Sequence, residues 1–203
     1  MKEKNNYKPK EREYRSFNNI TFREENDELI VEGYAVVFDT PTVLFDYDGI
    51  EYKEQIATTA FDEADMKDVI MNYNHDGKVV ARLKNSTLKL EVDDFGLKIT
   101  AFLGGTQEGR NLYEEIKGGY ISDMSFAFTV AKDSYDRDTR TTTIEKIKKL
   151  YDVSAVSIPA YPTTSLSARS KEFYDVEHSK FKVLEREQLE LAKIKAKYKG
   201  GKA

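Results

Sequence analysis

The chain of 203 residues contains no cysteine and no tryptophan, and it has only two histidines and four prolines. The lack of cysteine excludes disulfides, thiol nucleophiles and cysteine-ligated zinc, and it is typical of a protein from a reducing compartment. No apolar run approaches the roughly 20 residues that a membrane-spanning helix needs, and the chain begins with a polar stretch. We therefore expect synthesis in the cytoplasm and no membrane partner.

Charged residues are abundant but nearly balanced. They make up 33% of the chain and leave a net charge of −4, which gives no general basis for binding nucleic acid. The hydrophobic fraction of 39% is sufficient for one core, provided that some charged segments stay outside it. The composition predicts a flexible N-terminal arm over residues 1–14, a folded domain over 15–168 and a charged C-terminal helix over 169–203.

Strand signals dominate the middle of the chain. Residues 29–38 are rich in β-branched and aromatic side chains, and the alternation over 87–103 predicts a hairpin that turns at 93–96. Helix signals are few: an N-cap pattern predicts a short helix over 59–68, and Thr106 predicts the start of another that ends at the following glycine pair. We therefore predict an α+β fold, mainly an antiparallel β-barrel flanked by short helices.

One serine stands out within an apolar strand. Ser125 interrupts the run Met124–Phe128, in which large and small side chains alternate. Because strand side chains alternate between the two faces, Ser125 shares a face with Ala127 and Thr129 rather than with the aromatic residues. We expect this small, mildly polar face to present the serine hydroxyl to a groove.

A scarce histidine, His75, lies about fifty residues upstream of this serine. Serine is a weak nucleophile unless a neighbouring base takes its proton, and histidine suits that role near neutral pH. A third group normally accepts a hydrogen bond from the other ring nitrogen. Asp152 is the candidate for it, because a carboxylate within an apolar strand region needs a partner.

The spacing of these residues alone leaves other interpretations open. Ser125 and His75 are each compatible with a purely structural role. Asp152 could pair with Lys148, and His75 together with Asp76 could bind a metal, although no further ligands follow at metal-site spacing.

A wider set of motifs between about Ile30 and Thr164 resembles one protein family. These motifs are Gly33–Phe38, Glu54–Phe61, Asn74–Asp76, Ser86–Leu90, Asp94–Leu97, Gly118–Ile121, Met124–Phe128, Val153–Ser154 and Pro159–Pro162. With both the histidine and the serine block in the family's order and spacing, the chain resembles the prohead proteases of tailed phages, the serine proteases of procapsid maturation.

The resemblance implies a fold and a site. The fold would be similar to herpesvirus assemblin, a β-barrel that carries the nucleophile and the base on its strands. Ser125 would be the nucleophile and His75 the general base, with no cofactor. The third residue, usually acidic and commonly Glu in the family, corresponds best to Asp152.

The resemblance also implies a biological role. Such serine endopeptidases act inside the procapsid, where they cleave the scaffold protein or the scaffolding segment of the major capsid protein, and often themselves. We therefore expect these two proteins as partners and expect the C-terminal helix to dock onto one of them before self-cleavage removes it. Related viral proteases often dimerise, so a homo-oligomer is a further expectation.

Two rival functions belong to other classes. One is a catalytically silent scaffold or capsid-assembly protein that retains the protease fold. The other is a cytoplasmic acyl hydrolase, which would turn over small esters without a preference for peptides. Replacement of Ser125 by alanine separates the protease from the silent protein.

Overall fold

The structure is a computed structural model, and it describes residues 3–4, 12–17, 20–157 and 168–199. The chain forms two compact units, of which the first ends at Ser165 and the second begins at Leu166. Strands account for about 52% and helices for about 23%, which confirms the predicted α+β class. Within the described residues, no helix is both long and apolar enough to span a bilayer.

Twelve strands occur among the described residues, and they form two sheets. They are β1 (Glu3–Lys4), β2 (Glu13–Phe17), β3 (Ile20–Glu25), β4 (Glu28–Val37), β5 (Thr42–Tyr47), β6 (Ile50–Ile56), β7 (Ile70–Tyr73), β8 (Asp76–Arg82), β9 (Leu88–Val92), β10 (Gly96–Phe102), β11 (Asp123–Asp136) and β12 (Thr141–Val156). The last of these is a single strand of 16 residues.

The larger sheet has eight strands and is organised around β11 and β12. These two long strands pair antiparallel with each other, and β12 pairs in parallel with both β6 and β7. The strand β2 pairs antiparallel with β11, β5 pairs with β6, and β8 pairs with β7. The strand β12 therefore lies between β11 and β7, and side chains from these three strands meet on a common face.

The smaller sheet has the order β3–β4–β10–β9. Its β9–β10 hairpin confirms the prediction, and the Asp93 carboxylate accepts hydrogen bonds from the backbone N–H groups of Phe95 and Gly96 in the turn. Glycine is required where β10 begins, because a Cβ at Gly96 would clash with the carbonyl oxygen of Val36 on β4. The two sheets share one apolar core, which includes Val31 of β4 and Phe126 of β11.

The predicted β-barrel is not present, because the two sheets are not closed into one. In the described part of the chain, an isolated bridge between Phe38 and Ile56 links the segment after β4 to β6, and no continuous ladder joins the sheets there. The alternation of apolar residues is compatible with a closed barrel and with two packed sheets, because both architectures bury one face of each strand.

The first helix, α1 (Gln107–Lys117), confirms the prediction made from its capping residue. The Thr106 side chain accepts a hydrogen bond from the N–H of Gly109 at 3.0 Å, and Leu112 and Ile116 face the core one turn apart. Successive buried positions on one face explain why this segment is helical.

The helix predicted over residues 59–68 is absent, and this prediction is wrong. The chain instead makes successive turns, with N–H to C=O bonds from Asp62 to Thr59 and from Ala64 to Phe61. Ala60 and Phe61 are both buried in the apolar core, which packs against these turns. The Ala60 carbonyl also accepts from the N–H of Ile147, which anchors the turns to β12.

The second unit contains the helix α2 (Ala168–Lys199), so the predicted C-terminal helix is present. Its apolar residues Val183, Leu184 and Leu191 are exposed between charged side chains. The predicted arm over 1–14 lies mostly outside the described residues, as does the motif Pro159–Pro162.

Candidate active site

The strand β11 places Ser125 in the interior of the larger sheet. Ser125 lies opposite Ser154 of β12 and opposite Ser16 of β2. Residues 123–130 of β11 are all buried, so both faces of this part of the strand are covered. Ser125 itself has no exposed surface, so its hydroxyl is not presented to an open groove as the sequence predicts.

A tight turn between β7 and β8 presents His75. Tyr73 pairs with Asp76, so Asn74 and His75 form a two-residue loop, and both have positive φ angles, of 51° and 59°. Apart from glycine, Asn and Asp adopt this left-handed conformation most readily. For other residues it costs free energy and persists only where surrounding contacts stabilise it. Backbone N–H of Asn74 donates to the Ala155 carbonyl at 3.0 Å, which fixes the turn against β12.

The imidazole of His75 lies between Ser125 and Asp152. Its Nε2 is 2.6 Å from Ser125 Oγ, and its Nδ1 is 2.5 Å from Asp152 Oδ1. Both contacts are satisfied when the Ser125 hydroxyl donates to Nε2 and Nδ1–H donates to the carboxylate. The structure thus brings together all three residues proposed from the sequence.

These contacts also bear on the alternatives left open by the spacing. Both ring nitrogens of His75 are engaged by Ser125 and Asp152, which leaves neither free for a metal. Asp152 is buried and hydrogen-bonded to His75, whereas Lys148 is exposed. Asp76 accepts a hydrogen bond from the N–H of Gly77 in the turn.

Asp152 has a second hydrogen-bond partner that the sequence did not assign. The Oγ of Ser154 lies 2.8 Å from Asp152 Oδ1 and 2.6 Å from Asn72 Oδ1. Ser154 stood among the family motifs, but its chemistry within the site was not predicted. No sequence pattern pointed to Asn72, because its position opposite Ser154 depends on the parallel pairing of β7 with β12.

The strand β2 supplies a neighbour to the histidine. Tyr14 packs its ring edge-on against His75, with ring centroids 4.6 Å apart. The next residue, Arg15, is held by a bidentate contact with Glu54 of β6, at 2.5 and 2.8 Å, and by Glu13 at 2.7 Å. The predicted flexible arm over residues 1–14 does not include this contact between β2 and His75.

A third carboxylate lies near this ion-pair cluster. Asp133 of β11 is buried, and burial together with the charges of Glu13 and Glu54 raises its pKa to about 6. Burial lowers the pKa of Arg15, but the two glutamates outweigh that effect and raise it above its ordinary value. Arg15 therefore stays charged and ties β2 to β6.

A hydroxyl, an imidazole and a carboxylate in this order are the arrangement found in serine hydrolases. Comparison with protein families agrees with that class: the model for caudovirus prohead serine proteases matches residues 18–179. The chain therefore belongs to the caudovirus prohead serine protease family. No curated protein and no solved structure matches the chain.

Proposed function

We propose that this protein is a serine endopeptidase of phage head maturation in which Ser125 is the nucleophile, His75 the general base and Asp152 the residue that orients His75. The observation that carries the proposal is the position of the imidazole, within 2.6 Å of the serine hydroxyl and 2.5 Å of the carboxylate. Membership of the prohead serine protease family supports the same chemistry.

The geometry supports a two-step reaction. In the first step Ser125 Oγ attacks the carbonyl carbon of the scissile peptide bond, and its proton passes to His75 Nε2. The Asp152 carboxylate stabilises the resulting imidazolium through the Nδ1–H bond. Collapse of the tetrahedral intermediate breaks the C–N bond, and the leaving amine takes the proton from Nε2.

Water completes the cycle. His75 takes a proton from a water molecule, whose oxygen attacks the carbonyl carbon of the acyl-enzyme. The second tetrahedral intermediate then releases the new carboxyl terminus, and the proton returns from His75 to Ser125 Oγ. Each of the two steps uses the same imidazole as base and then as acid, so its Nδ1–H bond to Asp152 is needed in both.

The proposed substrates are the scaffold protein and the scaffolding segment of the major capsid protein, together with the protease itself. The family supports a procapsid setting, with synthesis in the host cytoplasm before packaging. The C-terminal unit with α2 is the proposed site of docking and of self-cleavage, because its helix is charged and belongs to a separate compact unit.

Access to Ser125 is part of the proposal. The serine has no exposed surface, whereas the His75 side chain is 15% exposed. A substrate carbonyl therefore reaches Ser125 only after neighbouring groups move, and the exposed side of His75 marks where the approach begins.

Co-expression with the scaffold and major capsid proteins of the same phage tests the proposal. Wild-type protein should produce discrete fragments of these chains, and Ser125→Ala should abolish them. Ser134→Ala is a matched control, since Ser134 is also buried on β11 but lies opposite Thr143, away from His75. Equal trimming by Ser125→Ala would contradict the proposal and favour the silent assembly protein.

A further inference from the structure

A buried pair of polar side chains lies behind Asp152. Ser154 has no exposed surface, and Asn72 is 5% exposed. The two ring nitrogens of His75 contact Ser125 and Asp152 and not this pair. Ser154 lies opposite Ser125 on β11 and opposite Asn72 on β7. These three side chains therefore form a row across β11, β12 and β7 on one face of the sheet.

The protons available in this pair fix its hydrogen-bond pattern. Ser154 Oγ lies within hydrogen-bond distance of two side-chain oxygens, on Asp152 and on Asn72, yet a hydroxyl has one proton. If Ser154 donated to Asn72, its lone pairs would face the Asp152 carboxylate at 2.8 Å. Both contacts of Ser154 have one donor and one acceptor when Ser154 donates to Asp152 and the Asn72 amide is turned so that its NH₂ donates to Ser154.

With these hydrogen-bond directions, Ser154 and Asn72 can orient the Asp152 carboxylate. Asp152 Oδ1 is the oxygen that accepts from both His75 Nδ1 and Ser154 Oγ. A hydrogen bond from a fixed, fully buried donor restricts the rotation of the carboxylate. The carboxylate then remains in the orientation that His75 needs.

We propose that Ser154, oriented by Asn72, is a positioning residue that holds the Asp152 carboxylate toward His75. The inference rests on the proposed function, because it assigns Ser154 an effect on Ser125 only through Asp152 and His75. It goes beyond the three residues of the site by adding a second layer, contributed by β7 and β12.

Phosphonylation of the full-length protein by an alkyl fluorophosphonate tests the inference without a known peptide substrate. In that reaction Ser125 Oγ forms a bond to phosphorus, fluoride leaves, and the serine proton passes to His75. Ser154→Ala should lower the maximal rate kinact about 10- to 100-fold, as expected for a small misplacement of a reacting group, and leave KI unchanged. Ser134→Ala, again the matched control, should leave both constants unchanged.

A double-mutant cycle with Asp152→Asn separates positioning from a general structural effect. If Ser154 acts through the carboxylate, Ser154→Ala should cost little more than twofold in kinact once Asp152 is replaced. A structural role would instead lower kinact by the same factor in both backgrounds, and that result would overturn the inference.

A second variant covers the case in which Ser154→Ala does not fold. Asn72→Ala leaves the serine hydroxyl in place but removes the amide that orients it, so we expect a three- to tenfold loss of kinact with unchanged KI. Wild-type kinact in Asn72→Ala, or in a folded Ser154→Ala, would overturn the inference while the proposed function stands. Failure of the wild-type protein to react at Ser125 would instead contradict the proposed function.

Discussion

The side-chain oxygen of Asn74 accepts a hydrogen bond from the backbone N–H of Ser157 at 3.0 Å. This contact joins the turn that carries His75 to the end of β12, the strand that carries Asp152. The base and the carboxylate are thereby fixed relative to each other by the backbone as well as by their own hydrogen bond.

Two replacements of Asn74 should distinguish the effect of its positive φ angle from the effect of its hydrogen bond to Ser157. Asn74→Gly keeps the positive φ of 51° accessible but loses the bond to Ser157, so kcat/KM should fall about tenfold with little loss of stability. Asn74→Ala should show the same kinetic loss and, in addition, about 1 kcal/mol lower free energy of unfolding, because alanine resists this conformation. Equal stability of the two variants in urea denaturation would contradict the prediction.

Replacement of Asp152 should reduce the rate of the chemical step. Asp152→Asn removes the charge that stabilises the imidazolium, and we expect kcat to fall about 10³- to 10⁴-fold. Asp152→Glu restores the charge, but the additional methylene must fit where the carboxylate is buried and 2.5 Å from His75. We expect it to recover only part of the activity, as measured by cleavage of the scaffold protein. Full activity of Asp152→Asn would exclude Asp152 from the site.

The buried ion pairs of Arg15 should dominate the stability of the N-terminal strand. Arg15→Met leaves Glu13 and Glu54 buried without their partner, and we expect a loss of about 3–5 kcal/mol in the free energy of unfolding. Arg23→Met provides the comparison, since Arg23 pairs with Glu32 at an exposed site and should cost less than about 1 kcal/mol. Similar losses in urea denaturation would show that burial of the Arg15 cluster has no special effect.

Asp133 should make stability depend on pH. Folding raises its pKa from 3.8 to about 6, so the folded state binds the proton more tightly than the unfolded state. Its contribution is therefore fully present in acid, below its ordinary pKa, and is lost as the pH rises through about 6. Asp133→Asn is neutral throughout. The full pKa shift corresponds to about 3 kcal/mol, and because solvent screening reduces this value, the variant should be about 1–3 kcal/mol more stable than the wild type near pH 8. That gain should shrink towards zero near pH 4, and an equal gain at both pH values would contradict the assignment.

Local patterns predicted the elements whose side chains contact near neighbours in sequence. The β9–β10 hairpin and α1 follow from alternation, turn chemistry and a capping threonine, all within a few residues. The helix predicted after Thr59 failed because contacts from β12 override a local capping pattern. Barrel closure also failed, because the alternation of a strand does not specify which strand lies beside it.

Only some residues of the site could be predicted from the sequence. Residue type and strand pattern pointed to Ser125, His75 and Asp152, and the resemblance assigned their roles, although His75 lies 50 positions from Ser125 and 77 from Asp152. Asn72 and Tyr14 were not found, because their roles arise from strand pairing with β12 and β11. Such pairing depends on contacts between distant segments, and period-two alternation leaves the choice of partner open.

Mass spectrometry of the protein after reaction with an alkyl fluorophosphonate identifies the serine that the site activates. We predict a single adduct on Ser125 in the wild-type protein, formed at least about 100-fold more slowly in His75→Ala, because the base no longer accepts the serine proton. The same preparation of wild-type protein should cleave scaffold or capsid chains, and the labelled protein should not. An adduct on a different serine, or cleavage that persists after Ser125 is labelled, would contradict the assignment of Ser125 as the nucleophile.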